Sequence, residues 1–206
     1  MNKIMKNTLI LTAITLVSGL LLGIVYEVTK EPIAASQEAA KQEAYRQVLP
    51  EADAFEPMTV DVNEAAAAVE QATIGGAAVN AVIDEAAKAL SGSEEIGYVV
   101  TVTDKEGYGG NIQISVGILS DGTLNGISIL SISETAGLGM NAQEPEFYEQ
   151  FSGKQAAQFE VTKNGAASDS EIDAISGATI TSKAVTGGVN AALAYYQNVL
   201  GGSVNE

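Results

Sequence analysis

Residues 173–182, Asp-Ala-Ile-Ser-Gly-Ala-Thr-Ile-Thr-Ser, gather four hydroxyls and one acid just ahead of a helical pattern. The leading backbone N–H groups of a helix lack internal acceptors, and the helix dipole favours an anion beside them. Gly177 and Ala178 carry minimal side chains, so a phosphate can approach the backbone, while Ser176, Thr179, Thr181 and Ser182 add hydroxyl donors. A phosphate-bearing ligand fits this pattern. Ordinary helix capping fits it too, because Ser and Thr are preferred N-caps. No Walker lysine follows a glycine-rich loop and no G-x-G-x-x-G follows a strand, which argues against ATP and dinucleotide sites.

The rest of the chain limits the chemistry. Of 206 residues none is Cys and none is His. Disulfides, zinc–thiolate centres and iron–sulfur clusters in this chain are excluded, and so is the commonest general base. A Ser or Thr hydrolase has no base to call on; Ser182-Lys183 has the wrong spacing for a Ser-x-x-Lys pair. Chemistry must come from hydroxyls, carboxylates, a few lysines or a bound cofactor. The net charge of −16 repels phosphate backbones and sets nucleic acid aside as a partner.

The motif Asp173–Thr179 resembles the Asp-x-x-Ser/Thr-Gly-Ala-Thr flavinylation motif of the FMN-binding domain family. The resemblance implies FMN attached through a phosphoester to Thr179 by a separate flavin transferase that uses FAD and magnesium. Ser176, Gly177 and Ala178 match the middle of the motif, and Asp173 matches its acid, which such a transferase would read or which would serve as a helix-entry acid. A second stretch, Glu-Thr-Ala-Gly-Leu-Gly at 134–139, is similar to the family's Glu-Thr-Pro-Gly-Leu-Gly loop, with Ala136 in place of proline. Glu134, Thr135, Leu138 and Gly139 would border the flavin, with Leu138 against the ring. Lys163 would offset phosphate or reduced-flavin charge, or lie solvated. Tyr108, in a strand entry (107–118) that also resembles the family, would stack or pack. No metal ligand set is implied.

These residues need elements to hold them. Residues 96–103, 111–119 and 124–132 alternate apolar and polar positions and read as an antiparallel meander with one buried face. Residues 145–151 read as a short helix and 159–163 as one more strand. The polar segment 169–173 then leads to the motif. After Thr179, Val185, Val189, Ala192, Tyr196 and Val199 recur at helical spacing, and Gly201-Gly202 ends the run. The alanine-rich stretch 61–94 reads as two short helices broken at Gly75-Gly76, a peripheral insertion without chemistry.

No charged residue lies between Asn7 and Tyr26, a length that spans a bilayer core as a helix. Lys3 and Lys6 precede it and all 26 acids follow it, from Glu27 onward. The positive-inside rule puts residues 1–6 in the cytoplasm, 7–26 through the membrane, and the remainder outside. A cleaved signal peptide would have a shorter apolar region. Residues 29–50 are similar to the post-anchor helix of the G subunits of Rnf electron-transport complexes. The expected plan is α+β: an anchor at 7–26, a helical stalk at 27–60, the insertion at 61–94, and an extracytoplasmic FMN-binding domain at 95–206. That domain would pack an antiparallel sheet with helices. The resemblance implies an electron-transfer subunit of a ferredoxin:NAD oxidoreductase complex that moves Na+ or H+, with other membrane subunits as partners. The C subunit of the Na+-translocating NADH:quinone reductase, another FMN-domain reductase component, and a non-redox surface domain are the alternatives.

Overall fold

A computed structural model describes residues 2–201. The chain divides into two compact units, one ending at Ala40 and one beginning at Lys41. A single helix, α1 (Lys3–Val48), contains the apolar segment and continues through Pro32. Its large side chains from Ile4 to Val28 are exposed, and it is long and apolar enough to cross a membrane. Its last turns belong to the second unit, where Ala44, Tyr45 and Val48 are buried.

The second unit is built on a five-stranded antiparallel sheet. After α1 come β1 (Ala54–Met58), α2 (Val62–Val69), the short pair β2 (Thr73–Ile74) and β3 (Ala77–Ala78), and β4 (Ala81–Ser91). Then follow β5 (Glu94–Asp104), β6 (Ile112–Leu119) and β7 (Leu124–Ser131). The sheet order is β1-β4-β5-β6-β7. A 3₁₀ turn at Gly139–Gln143, helix α3 (Pro145–Tyr148) and a second 3₁₀ turn at Glu149–Phe151 lead to β8 (Glu160–Thr162) and β9 (Glu171–Asp173), which pair in parallel. Helix α4 (Thr179–Asn198) closes the fold.

Both faces of the sheet are covered, where the sequence pattern suggested one. On one face Val100, Val102, Ile112, Ile114, Val116 and Ile118 pack against α4, whose Val185, Val189, Ala192 and Tyr196 are at most 1% exposed. On the other face Val99, Ala87 and Ala89 meet Tyr45, Val48 and Leu49 from the end of α1. Gly117 makes that approach possible, since a Cβ there would lie 2.7 Å from the Val48 carbonyl oxygen. The Tyr45 hydroxyl adds a hydrogen bond of 3.3 Å with Thr101, which in turn pairs with Ser115 at 3.2 Å.

The alanine-rich stretch corrects the expectation drawn from it. Residues 62–69 are helical, capped by the Asp61 carboxylate, which accepts from the N–H groups of Asn63 and Glu64. Beyond Gly75-Gly76, however, Ala81–Ser91 is strand β4, paired along both edges with β1 and β5. It is an interior strand of the sheet and no peripheral insertion. Alanine's helix preference is a fraction of a kcal/mol per residue, and two ladders of backbone hydrogen bonds outweigh it. Small side chains also let the sheet be covered closely from both sides. A register shift between Ile83 and Glu85 turns Ile83 and Ala86 to the α4 face, while Ala87 and Ala89 meet α1. Likewise the expected helical stalk at 27–60 stops at Val48, near Pro50, and its last part is strand β1.

Candidate functional site

Three chain segments converge beside the start of α4. The first is the turn into that helix. Ala178 donates its N–H to the Ile175 carbonyl at 3.0 Å, closing a four-residue turn in which Gly177 has φ +75°. That conformation is open to glycine and strained for other L residues. The Ser182 hydroxyl locks the turn to the helix: it accepts from Ile175 N–H at 2.9 Å and donates to the Ala178 carbonyl at 3.0 Å. Ser182 is therefore a structural residue.

The second segment is the glycine-rich loop at 134–139. Thr135 offers its carbonyl to the N–H groups of Leu138 and Met140, and Gly137 takes φ +73°. The turn forms with Ala136 in the position where proline was expected. Glu134 ties the loop to its neighbours. One carboxylate oxygen accepts from Gly109 N–H at 3.0 Å, and the other from the Thr181 hydroxyl at 3.0 Å. Gly139 sits where a Cβ would collide with both Glu134 and the Thr181 hydroxyl, so the loop and α4 touch through a glycine.

The third segment is the β8–β9 pair. Thr162 pairs with Asp173, and the Thr162 carbonyl accepts from Ala174 N–H at 2.7 Å. This ladder carries Lys163, the residue after β8, to the motif that follows β9.

Together they enclose a cavity of about 740 Å³. Its walls are Tyr108, Glu134, Thr135, Leu138, Gly139, Lys163 and the run from Ala174 to Thr181. Small-molecule sites span roughly 300–1,000 Å³, so the volume suits a mononucleotide-sized ligand. Every site residue named from the family resemblance lines this cavity except Asp173. That residue lines a neighbouring cavity of about 400 Å³ with Asn141, Glu144, Glu146, Phe147 and Gln150. Ala174 and Ile175 line both. Asp173 thus stands behind the wall of the larger cavity, outside the ring of residues that surrounds it.

Two features make the cavity's chemistry specific. Helix α4 begins at Thr179 with no side-chain cap, so the expected alternative of ordinary N-capping is absent. Its first N–H groups and the positive end of its dipole are available to an anion. Beyond α1, the exposed large hydrophobics among the described residues are Val62, Val82, Tyr108, Leu138 and Ile180, and the last three border the cavity. The site therefore pairs a floor formed by an uncapped helix start, with Lys163 in its wall, with an apolar and aromatic rim. Ile175 and Ile180 were not singled out from the sequence, where an isoleucine carries no chemical signal. Thr181 was named only as a hydroxyl donor. It belongs to the site through its bond to Glu134, a contact 47 residues away.

The family comparisons bear on this geometry. A model of the FMN-binding domain matches residues 107–194, and a model of the RnfG N-terminal region matches residues 1–48. The G subunit of the Na(+)-translocating ferredoxin:NAD(+) oxidoreductase complex of Acetobacterium woodii is 35% identical over 199 residues, covering 95% of this chain and 93% of that protein. The G subunit of the proton-translocating ferredoxin:NAD(+) oxidoreductase complex of Clostridium ljungdahlii is 34% identical, covering 98% of this chain and 96% of that protein. The fold is shared with the C subunit of the Na(+)-translocating NADH-quinone reductase from Parabacteroides distasonis, at a TM-score of 0.55 and 18% identity. That alignment covers 82% of this chain and 96% of the other. An apolar first helix, a sheet covered on both faces and near full-length likeness to these subunits lead to one assignment: the chain belongs to the G-subunit family of Rnf ion-translocating oxidoreductase complexes, with an FMN-binding domain over residues 107–194.

Proposed function

We propose that this chain is a membrane-anchored electron-transfer subunit of a ferredoxin:NAD oxidoreductase complex coupled to Na+ or H+ movement, with FMN joined to the Thr179 hydroxyl by a phosphoester. The observation that carries the reading is an uncapped helix start, with Thr179 as first residue, on the floor of a mononucleotide-sized cavity. The names of the relatives support the redox role.

The residues present fit the group. Gly177 and Ala178 keep side-chain bulk off the turn that lines the cavity, and the uncapped start of α4 suits a phosphate. Lys163 offsets the phosphate charge. Tyr108, Leu138 and Ile180 would offer flat or apolar surface to a ring, and Glu134 and Thr135 would supply polar groups in the same wall. Bound FMN supplies the electron chemistry, which explains how a chain without His or Cys takes part in it. Attachment forms the bond from Thr179 Oγ to the FMN phosphorus of FAD and breaks the pyrophosphate bridge. AMP leaves with the bonding pair and the hydroxyl loses its proton. The catalyst is a separate flavin transferase. Lys3 and Lys6 hold the N-terminus in the cytoplasm, so the domain and its cofactor lie on the outer face, where a tether prevents loss by diffusion. The other membrane subunits of the complex are its partners there.

The test is protein co-expressed with a flavin transferase and denatured before filtration. Yellow colour that stays with wild-type protein and is absent from Thr179→Ala supports the reading. Flavin that washes away from both, with the transferase shown active on another substrate, overturns the covalent link.

A further inference from the structure

The backbone around Asp173 is held on both sides: Ala174 N–H donates to the Thr162 carbonyl of β8 at 2.7 Å, and the N–H and carbonyl of Asp173 turn the other way. Strand β8 occupies one edge of β9. On the other edge there is no strand among the described residues. A single side chain, Gln150, takes its place: its Oε1 accepts from Asp173 N–H at 2.7 Å, and its Nε2 donates to the Asp173 carbonyl at 3.3 Å. The same amide nitrogen donates to the Glu146 carbonyl at 3.2 Å. Gln150 thus completes the donor and acceptor pattern that a neighbouring strand would provide.

Gln150 is itself rigidly placed. Its neighbour Phe151 is fully buried, edge-on to Phe147 at 5.8 Å and to Phe159 at 5.9 Å between ring centroids. An aromatic row therefore fixes the turn, the turn fixes the amide, and the amide fixes the backbone of Asp173. Six residues on is Thr179. Asp173 lines the smaller cavity and not the larger one, so a group that reads it approaches from that side.

We infer that Gln150 is a positioning residue for flavinylation: it sets the place of Asp173 relative to Thr179, and so the fit of this protein to the flavin transferase. This rests on the reading of Thr179 given above.

The experiment uses the full-length protein in detergent with a purified flavin transferase, FAD and magnesium, following added mass over time at several protein concentrations. The variants are Gln150→Ala, Gln150→Met, Asp173→Asn and Gln150→Ala with Asp173→Asn. Gln155→Ala is a control, since that amide bonds only the Asp121 carbonyl among the described contacts. Melting temperature is measured for each. The expected result is at least a tenfold rise in the KM for the protein in Gln150→Ala and Gln150→Met, with kcat within about threefold and the control unchanged. On the Asp173→Asn background, Gln150→Ala adds less than twofold, because the two residues act through one contact. A structural role alone would lower the melting temperature and the fraction modified without raising KM. Should Gln150→Ala fail to fold, Gln150→Met, of similar length, decides the matter. Wild type and both Gln150 variants modified with the same KM overturns the role of Gln150 and leaves Thr179 as the tether. Undiminished loss on the Asp173→Asn background overturns it too. Wild type that gains no mass overturns the tether reading, and this inference with it.

Discussion

Glu134 carries more of the site than its place in a loop suggests. Its two carboxylate oxygens join the Gly109 backbone to the Thr181 hydroxyl, so one side chain ties three segments of the cavity wall together. Glu134→Ala leaves both donors without that partner and is expected to cost about 1–3 kcal/mol in urea unfolding. Glu134→Gln, which keeps an oxygen for one donor, is expected to cost less; equal losses would show that the bond the glutamine keeps contributes nothing. Asp104 makes a separate prediction. It is buried against Gly187 and Gly188 of α4, and burial pushes its pKa up to about 7 from an ordinary 3.8, against the lowering effect of the Glu106 N–H. The folded state therefore binds a proton that the unfolded chain has released between those two values. This group's contribution is most favourable below pH 3.8, falls as pH rises towards 7, and levels off above. Asp104→Asn keeps an oxygen for the Glu106 N–H and removes the titration. Its stability advantage over wild type should grow from about pH 4 to about pH 7 in denaturant titrations; a pH-independent difference would contradict the account. Residue by residue, the site was legible where chemistry was local. Ser176 to Thr179 and Glu134 to Gly139 sit in two short motifs, and both reach the cavity. The contacts of Thr181 with Glu134 and of Gln150 with Asp173 were not legible, because each joins residues far apart in the chain.

Among the elements, the strands rich in β-branched residues were legible and β4 was not. Val99, Val100 and Val102 announce β5 by their shape, whereas Ala86, Ala87 and Ala89 become strand only because β1 and β5 flank them. Tertiary pairing overrode local preference, and a single sequence does not display pairing. The cover supplied by the end of α1 was hidden for the same reason. It depends on Gly117, where a Cβ would meet the Val48 backbone. Gly117→Val should force Val48 and its helix turn away from β6 and cost about 1–3 kcal/mol. Denaturant unfolding of the variant measures the cost, and protease sensitivity near Leu49 reports the loosened turn. A variant as stable as wild type would show that the contact yields freely.

At the scale of the whole molecule, charge and hydropathy agree on an arrangement. All 26 acids follow the apolar segment, and only Lys3 and Lys6 carry charge before it. Trypsin added to sealed right-side-out vesicles should therefore degrade the domain, and inverted vesicles should protect it; the reverse pattern would contradict the orientation. The division of labour follows: an anchor that fixes location, a doubly covered sheet that fixes α4, and a helix start that presents one threonine. The most direct measurement is made on the peptide that trypsin frees by cutting after Lys163 and Lys183, residues 164–183, from protein matured with a flavin transferase. The peptide holds Ser168, Ser170, Ser176, Thr179, Thr181 and Ser182, so fragmentation can choose among six hydroxyls. The account predicts an added mass of about 438 Da, FMN less one water, on Thr179. The same mass on another hydroxyl, or an unmodified peptide beside an active transferase, would contradict it.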